Sequence, residues 1–274
     1  MRKVNREAFP VPSNLSTLYA DVPRLNREYQ DISTGVVKKA KGNIYAHDNV
    51  KLTLQTLYRD KCYICEKYIK NTYQIEHYLP YSIHFPERAY DWDNLHLSCD
   101  KCNKRKIQNQ YKIKDSNDEK KVLDILILNP CVDNVEQLIT FDEITCQAVD
   151  NGHENIKSKM TEVFLNEPEY LSARQSHISG LIDLILSDEW QTSYNILRHQ
   201  YANYQQLNLD YQVPQDNKIG DLCHRILKGY LSINAPYYTF TRTVFYRRVR
   251  LNIAAVQKFG NEWCVFMGIA LPIT

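Results

Sequence analysis

The most regular pattern in this chain is a stripe of apolar residues, spaced three and four apart, in its last third. The first set comprises Ile178, Leu181, Ile182, Ile185, Leu186 and Trp190. The second set follows a polar segment and comprises Ile219, Leu222, Cys223, Ile226, Leu227 and Tyr230. Residues at these intervals share one face of an α-helix, so the pattern predicts helices with buried faces from about Pro168 onward. The polar stretch 208–217 predicts a connection between two of these helices.

Shorter patterns predict the elements of the rest of the chain. Apolar positions at 15–29 and 50–59 are spaced as in helices. Residues 73–80 carry aromatic and β-branched side chains, which predicts a strand ended by the proline at its last position. The polar and charged stretch 112–121 predicts a loop, and the β-branched residues and turn residues of 129–154 predict a small hairpin. Together these elements predict a mostly helical α+β fold.

Four cysteines form two Cys-x2-Cys pairs, Cys62 with Cys65 and Cys99 with Cys102. A structural Zn²⁺ ion takes four thiolate or imidazole ligands in a tetrahedron, and two such turns supply them without a large core. The gap between the pairs is longer than in simple zinc ribbons and has room for a hairpin and a loop. The spacing therefore predicts a structural zinc site, and four buried free thiols are the alternative.

The gap and its far edge also carry groups that can hydrolyse a phosphodiester. Glu76 and His77 lie in the predicted strand, Asn94 follows a turn, and Asn103 comes directly after the second cysteine pair. A histidine near its ordinary pKa can take a proton from water. Carboxylate and amide oxygens can hold a hard divalent ion that offsets charge on the phosphate. A polar pair in a half-exposed strand is the structural alternative for Glu76 and His77.

A run of cations surrounds the second cysteine pair. It comprises Lys101, Lys104, Arg105 and Lys106. Cations on one short helix can contact the phosphates that flank a cut, which gives an attraction that is independent of base sequence and sensitive to salt. A solvated helix face is an equal alternative for the last three.

These motifs together resemble the HNH nuclease family. The shared features are Cys-x2-Cys, Glu-His-x-x-Pro, a central Asn-Leu and Cys-x2-Cys-Asn-x-x-Lys. The resemblance implies a zinc-stabilised ββα-metal core of the treble-clef-like kind. It also implies that His77 is the general base, that Glu76 and Asn103 hold a catalytic divalent ion, and that Asn94 holds the loop that orients the base.

This chain departs from the commonest family pattern at two positions. Glu76 stands where Asp is commoner, so its carboxylate reaches one methylene further, and Asn103 stands where His is commoner. A neutral amide oxygen favours hard ions, so Mg²⁺ or Mn²⁺ is expected at the catalytic site rather than zinc. The resemblance leaves open which of these two ions is used.

Flanking stretches resemble one subfamily, the PtuB-like nucleases of Septu-type and retron-linked anti-phage systems. These stretches are 1–12, 126–142 and 156–174, so the resemblance covers roughly residues 1–180. It implies a cutting subunit that works with a separate ATPase of the ABC/SMC-like, PtuA-like class. The chain itself has no Gly-x4-Gly-Lys-Ser/Thr phosphate loop, which agrees with an ATPase on another chain.

Composition narrows the class of protein. A chain of 274 residues can bury one large core or two modest ones. Its first residues are charged and lack the apolar run of a signal peptide, and its longest apolar stretch, 264–273, is too short to span a bilayer. Four further cysteines have no motif spacing, which favours a reducing compartment: Cys131, Cys146, Cys223 and Cys264. We therefore expect a cytoplasmic protein with no membrane partner.

The formal net charge of +2 is small for a DNA-binding protein, so attraction to nucleic acid is expected from local patches. Besides the run at 101–106, a second patch at 237–250 interleaves tyrosines with arginines. It comprises Tyr237, Tyr238, Arg242, Tyr246, Arg247, Arg248 and Arg250. Such residues stack on bases or anchor protein interfaces, and amphipathic residues at the edge of a core are the alternative.

We predict four segments: an N-terminal arm at 1–45, the HNH core at 46–115, a core extension at 116–175 and a helical C-terminal region at 176–274, the last a candidate for docking the ATPase. The expected activity is metal-dependent cleavage of nucleic acid, DNA first, with tRNA or another RNA as the alternative. The rival class is a zinc-knuckle module that binds nucleic acid or protein without cutting. The Glu-His and Asn set favours the nuclease, because a binding module needs no base beside a hard-ion ligand.

Overall fold

The structure is a computed structural model that describes residues 1–81, 85–118, 121–152, 154–188, 190–192, 218–245, 247 and 253–273. Most of these residues lie in helices, and the strands among them form three two-stranded sheets. The prediction of a mostly helical α+β protein is thereby confirmed. The predicted connection at 208–217 lies outside the described residues, as do three residues of the predicted patch at 237–250: Tyr246, Arg248 and Arg250.

The elements are numbered along the described parts of the chain. The α-helices are α1 (Ser13–Ala20), α2 (Val22–Ser33), α3 (Gly42–Tyr45), α4 (Asp48–Tyr58), α5 (Asp100–Lys106), α6 (Val135–Leu138), α7 (Ile156–Leu165), α8 (Pro168–Leu186), α9 (Lys218–Ile226), α10 (Tyr238–Val244) and α11 (Ile253–Met267). The strands are β1 (Tyr73–His77), β2 (Leu95–Cys99), β3 (Lys112–Lys114), β4 (Val122–Ile125), β5 (Ile139–Phe141) and β6 (Ala148–Asp150).

The chain divides into two compact units. Unit 1 comprises Met1–Thr140 and Ala148–Leu165, and unit 2 comprises Phe141–Gln147 and Asn166–Thr274. The four segments predicted from the sequence stay a prediction. No helix in the described part of the chain is both long enough and apolar enough to cross a membrane.

The centre of unit 1 is the antiparallel hairpin of β1 and β2, followed at once by α5. Tyr73 pairs with Cys99, and the pairing runs in register to the end of β1 at His77. β2 is buried along its whole length. Cys99 caps α5, because its Sγ accepts a hydrogen bond from the backbone N–H of Cys102 at 3.4 Å. The strand predicted at 73–80 is confirmed, although it ends three residues before Pro80.

α4 leads into the first cysteine pair. It confirms the helix predicted at 50–59, and its apolar residues Leu54 and Leu57 are buried. The next two residues, Arg59 and Asp60, have φ angles of 54° and 55°. This left-handed backbone conformation ends the helix and turns the chain sharply towards the cysteines.

The helix predicted at 15–29 is divided in two. α1 ends before Asp21, whose carboxylate accepts a hydrogen bond from the backbone N–H of Arg24 at 3.2 Å and so caps α2. Pro23 lies in the first turn of α2. Proline is tolerated there but not in a helix interior, so a continuous helix through this position is disfavoured.

The loop predicted at 112–121 is wrong in part. Residues 112–114 form β3, which pairs antiparallel with β4. The strand was not predicted because two of its three residues are lysines. Such residues are tolerated there because the side chains of β3 are largely exposed. The residue before β3, Tyr111, is fully buried, and its carbonyl oxygen accepts a hydrogen bond from the backbone N–H of Leu126 at 2.9 Å. β5 and β6 confirm the small hairpin predicted between 129 and 154.

Unit 2 consists mainly of α8 to α11. The two predicted apolar stripes form buried helix faces, comprising Ile178, Leu181, Trp190, Ile219, Leu222, Cys223, Ile226 and Leu227. The other four predicted residues are less buried: Ile182, Ile185 and Tyr230 are half-buried, and Leu186 is 68% exposed. The turn after α9 approaches α11 closely, because a Cβ added at Gly260 would lie 2.6 Å from Cδ1 of Leu227. Glycine is therefore the residue that permits this approach.

Arg6 fastens the N-terminal residues of unit 1 to the central hairpin. Its guanidinium is buried and donates to the carbonyl oxygens of Trp92 at 2.6 Å and Leu95 at 2.8 Å. It also donates to the hydroxyl of Tyr58 at 3.0 Å. The planar fork of N–H donors suits several acceptors at once, so this one side chain joins the first residues, α4 and β2.

We expect Arg6→Met to lower the free energy of unfolding by about 3 kcal/mol, because it leaves buried acceptors unpaired while keeping most of the side-chain volume. Arg24→Met is the matched control, since Arg24 is exposed on α2, and its effect should stay within about 0.5 kcal/mol. Urea denaturation followed by circular dichroism measures both. Equal losses in the two variants would contradict the role given to Arg6.

Candidate active site and zinc centre

The four paired cysteines meet in one buried cluster. Their Sγ atoms all lie within 4.8 Å of one another, and all four are free thiols. Cys65 Sγ and Cys99 Sγ are 3.9 Å apart, close to the separation of about 3.8 Å that a tetrahedron with Zn–S bonds of about 2.3 Å requires. Among the described residues, these four cysteines are the one group of at least three His, Cys, Asp or Glu side chains close enough together to hold a metal ion. The cluster fits a structural zinc ion.

Lys106, the last residue of α5, is buried and holds the end of β1. Its Nζ donates to the carbonyl oxygens of His77 at 2.7 Å and Tyr78 at 2.8 Å. It also lies 3.3 Å from Oε1 of Glu76. Burial lowers the pKa of Lys106, and the charge on Glu76 opposes that shift. With three partners for its three N–H donors, the ammonium group is an anchor for the strand end.

This position corrects the prediction for Lys106 as a phosphate contact. Only 1% of the residue is exposed, so its charge is not presented to a ligand in solution. Lys101 and Lys104 are exposed, and Arg105 is half-buried. Lys104 forms an ion pair with Asp100 at 2.7 Å on the helix surface. The run of four predicted cations is therefore three surface cations and one buried anchor.

Asn94 fastens the segment that follows β1. Its Oδ1 accepts a hydrogen bond from the backbone N–H of Leu79 at 2.7 Å. Its Nδ2 donates to the carbonyl oxygens of Leu79 and Arg88, both at 3.0 Å. Asn94 is 3% exposed, and it contacts backbone groups rather than a position open to a ligand. The side chain thus joins two stretches of the loop between β1 and β2.

His77 is held in one orientation at the end of β1. Its Nε2 lies 2.8 Å from the carbonyl oxygen of Ala89. A carbonyl oxygen only accepts, so Nε2 carries the proton and Nδ1 keeps its lone pair in the neutral ring. Burial lowers the pKa of His77 to about 4, with the bond to Ala89 opposing the shift and the charge of Lys106 adding to it. The rings of Tyr45 and Tyr81 contact the imidazole, with centroid distances of 4.8 Å and 4.3 Å.

Glu76 lies in a buried polar environment. It is 3% exposed, and its Oε1 lies 3.3 Å from Nζ of its ion-pair partner, Lys106. Burial raises the pKa of this carboxyl group, and Lys106 opposes that shift. Its cross-strand neighbour, His96, is fully buried with Nδ1 2.7 Å from the hydroxyl of Tyr58. His96 therefore belongs to the core and does not contact phosphate.

Asn103 lies on α5, one turn before Lys106. Its Nδ2 donates to Oε1 of Gln74 at 2.7 Å. Gln74 and Glu76 are two residues apart on β1, so their side chains share one face of the strand. The carboxylate of Glu76 and the amide oxygen of Asn103 are ligand types that a hard ion accepts. With two protein ligands, such an ion site would be open and completed by water or phosphate oxygens.

A comparison with protein families bears directly on this arrangement. Residues 62–108, from the first cysteine pair to just beyond the end of α5, match the family model described as HNH endonuclease. We call this matching stretch the HNH domain. The resemblance inferred from the motifs is confirmed. The matched residues contain the four-cysteine cluster, the hairpin of β1 and β2, and α5, which ends at Lys106.

The chain is also similar to the Septu protein PtuB of Bacillus mycoides (strain KBAB4). The two are 28% identical over 165 residues, which cover 52% of this chain and 55% of that protein. The chain therefore spans about half the length of this relative. The similarity agrees with the PtuB-like subfamily inferred from the flanking stretches.

Several residues of the HNH domain and its surroundings escaped the sequence analysis. Tyr45 precedes His77 by more than thirty positions, and no local pattern connects the two. Tyr81 and Ala89 lie in the loop after β1, where a backbone carbonyl leaves no trace in the sequence. Lys106 is the last residue of Cys-x2-Cys-Asn-x-x-Lys, and nothing in this local pattern shows that its side chain is buried.

We expect Cys99→Ser to yield insoluble or zinc-free protein, because loss of one thiolate ligand removes metal-binding free energy that a zinc knuckle needs to fold. His77→Ala should stay folded and keep its zinc, since His77 is no part of the cluster. Cys131→Ser is the matched control for a cysteine outside the cluster. Metal analysis and circular dichroism on the three variants test this, and equal zinc loss in Cys99→Ser and His77→Ala would refute the division of roles.

Proposed function

We propose that the HNH domain is a metal-dependent endonuclease that hydrolyses phosphodiester bonds, with His77 as the general base. The observation that carries this proposal is the hydrogen bond from Nε2 of His77 to the carbonyl oxygen of Ala89. It fixes the ring and leaves Nδ1 as the nitrogen able to take a proton from water. A lowered pKa keeps the ring neutral at pH 7, as a base must be.

The proposed reaction needs few groups. Nδ1 of His77 accepts a proton from a water molecule as the water oxygen attacks phosphorus, and the bond from phosphorus to the leaving oxygen breaks. The leaving oxygen then takes a proton from solvent. A bound phosphate raises the pKa of the nearby imidazole and so strengthens the base. A divalent ion, Mg²⁺ or Mn²⁺, held by Glu76 and Asn103 would supply positive charge to the leaving oxygen.

We assign Asn94 and Lys106 positioning roles in this reaction. Asn94 bonds to backbone groups of Leu79 and Arg88, and Lys106 bonds to the backbone of His77 itself. Both act on the imidazole through the chain that carries it. The order β1, β2, α5, with one cysteine pair before β1 and the other where β2 meets α5, supports a zinc-stabilised ββα-metal core of treble-clef-like type.

We further propose that the chain is the cutting subunit of a cytoplasmic anti-phage complex with a separate ABC/SMC-like, PtuA-like ATPase. The similarity to a Septu protein supports this role. DNA is the favoured substrate, with tRNA or another RNA as the alternative. A formal net charge of +2 gives weak attraction to nucleic acid, so a partner that delivers the substrate fits the charge balance.

A non-catalytic zinc-knuckle module is the second candidate. The observation that favours it is the buried ion pair of Glu76 with Lys106. A carboxylate already neutralised by an ammonium group attracts a metal ion less strongly. The orientation of His77 has no evident use in a binding module, and on this ground we prefer the nuclease.

We expect His77→Ala to reduce cleavage of plasmid DNA at least about 100-fold in Mg²⁺ or Mn²⁺, because general-base catalysis contributes at least that factor. His47→Asn is the matched control. It exchanges an exposed histidine for a residue that still caps α4, and full activity should remain. Plasmid DNA and total tRNA are assayed side by side, with and without chelator and the neighbouring ATPase. Full activity in His77→Ala would refute the proposal. If the unsubstituted protein cleaves neither substrate, even with the ATPase present, the binding module becomes the better interpretation.

The corrected cation set gives a second test. We expect Lys104→Gln with Arg105→Gln to reduce the slope of log affinity against log salt by about two, one for each phosphate contact. Lys38→Gln with Lys39→Gln, two exposed lysines outside the HNH domain, should leave the slope unchanged. Lys106→Met should instead lower the free energy of unfolding by about 3 kcal/mol, because it leaves Glu76 buried and unpaired. Fluorescence polarisation with duplex DNA, in a His77→Ala background, gives the slopes, and equal slopes in both double variants would contradict the assignment.

A further inference from the structure

Unit 1 contains a cavity that the proposed reaction does not use. Its volume is about 860 Å³, and its walls come from residues 3–29, the stretch 87–93, and residues 131–132. Pockets of about 300–1,000 Å³ are typical of ligand sites in proteins. Four aromatic residues line it: Phe9, Tyr19, Tyr29 and Trp92. We call this cavity the aromatic–acidic pocket.

The second feature of the aromatic–acidic pocket is its carboxylates. Glu7, Glu87, Asp91 and Asp93 all line it. Asp91 forms an ion pair with Arg88. Glu7, Glu87 and Asp93 form no ion pair with any residue that the structure describes, and all three are exposed. Arg88 offsets part of the charge of Glu87 and Asp93, and three carboxylates without a direct ion pair at an aromatic cavity still favour cations over phosphate groups.

The two cations of the pocket already have partners. The guanidinium of Arg6 donates to the carbonyl oxygens of Trp92 and Leu95. It also stacks on the indole ring of Trp92, 4.6 Å from the ring centroid. Nζ of Lys3 donates to the carbonyl oxygens of Val132 at 2.8 Å and Asp133 at 3.0 Å. Neither cation neutralises the three carboxylates by direct contact.

The tyrosines report the same negative potential. Burial raises the pKa of Tyr29, and the charges of Asp91 and Glu87 raise it further, while the charge of Arg88 opposes the shift. Burial likewise raises the pKa of Tyr19, with added contributions from Asp91 and Asp93. The interior of the pocket therefore favours positive charge.

We propose that the aromatic–acidic pocket binds a basic peptide segment of a partner protein, with an arginine or lysine side chain between the aromatic rings and the carboxylates. Cations are attracted to aromatic faces as well as to carboxylates, and a guanidinium stacks on rings and pairs with carboxylates at once. The indole N–H of Trp92 is buried without a hydrogen-bond partner among the described residues.

Occupation of the pocket acts on the loop that holds His77. Glu87, Asp91 and Asp93 belong to the same stretch as Arg88 and Ala89, whose carbonyl oxygens accept from Asn94 and His77. A peptide that steadies this stretch steadies the orientation of His77. This coupling rests on the proposed nuclease, whereas the binding itself does not.

The test uses the full zinc-bound chain and a fluorescein-labelled, blocked heptapeptide with two arginines. Fluorescence polarisation compares it with the same peptide carrying uncharged citrulline. We expect the arginine peptide to bind and the citrulline peptide to bind at least about tenfold more weakly. Glu87→Gln with Asp93→Asn should weaken binding by a similar factor. Glu136→Gln with Glu154→Gln, which removes two exposed carboxylates of unit 1 outside the pocket, should not. Hydrogen exchange should slow in residues 86–94 when the peptide is bound.

Four results would overturn the proposal. They are no binding of the arginine peptide up to about 1 mM, the weak end of specific recognition; equal affinities in both double variants; protection confined to other residues; and self-association of the chain that only the Glu87→Gln/Asp93→Asn variant loses, which would make the pocket an interface between copies. None of these measurements involves cleavage, so failure here is distinct from failure of the proposed nuclease.

Discussion

The ammonium group of Lys106 is the constraint on which the geometry of the HNH domain depends. It is buried, and it bonds to the carbonyl oxygens of His77 and Tyr78 while pairing with Glu76. A buried cation must be paired and hydrogen-bonded to be tolerated at all. The end of β1 therefore has one position in which the charge is satisfied. Glu76 and His77 are the last two residues of β1, so the same constraint fixes their positions.

The cysteine cluster extends this constraint to the whole helix. Cys99 and Cys102 fix the start of α5, and Lys106 fixes its end against β1. A helix of seven residues is too short to be stable by itself. The metal site and the buried ion pair hold it from both ends. The cysteine cluster thus helps to determine where the imidazole of His77 lies, and Asn94 and Ala89 complete its orientation from the other side of the loop.

Much of this arrangement could be predicted from sequence spacing, because spacing encodes local geometry. Two Cys-x2-Cys pairs, an acid followed by His in a strand, and Asn next to the last cysteine are local patterns, and the HNH domain match agrees with them. What escaped prediction depends on tertiary contacts. A lysine in a basic run gives no sign that it is buried, the strand at 112–114 was hidden by its charges, and the contact of Tyr45 with His77 crosses some thirty residues. The aromatic–acidic pocket is assembled from three separate stretches, none of which carries a motif.

The central claim is that this environment presents His77 as a neutral imidazole with its proton on Nε2 and a free lone pair on Nδ1. The most direct measurement is nitrogen-15 NMR of the zinc-bound protein labelled at histidine, with His77→Gln used to assign the signals. The account predicts that at pH 7 the Nε2 signal of His77 is that of a protonated nitrogen and the Nδ1 signal that of a bare one. A proton on Nδ1, or on both nitrogens, at that pH would contradict it.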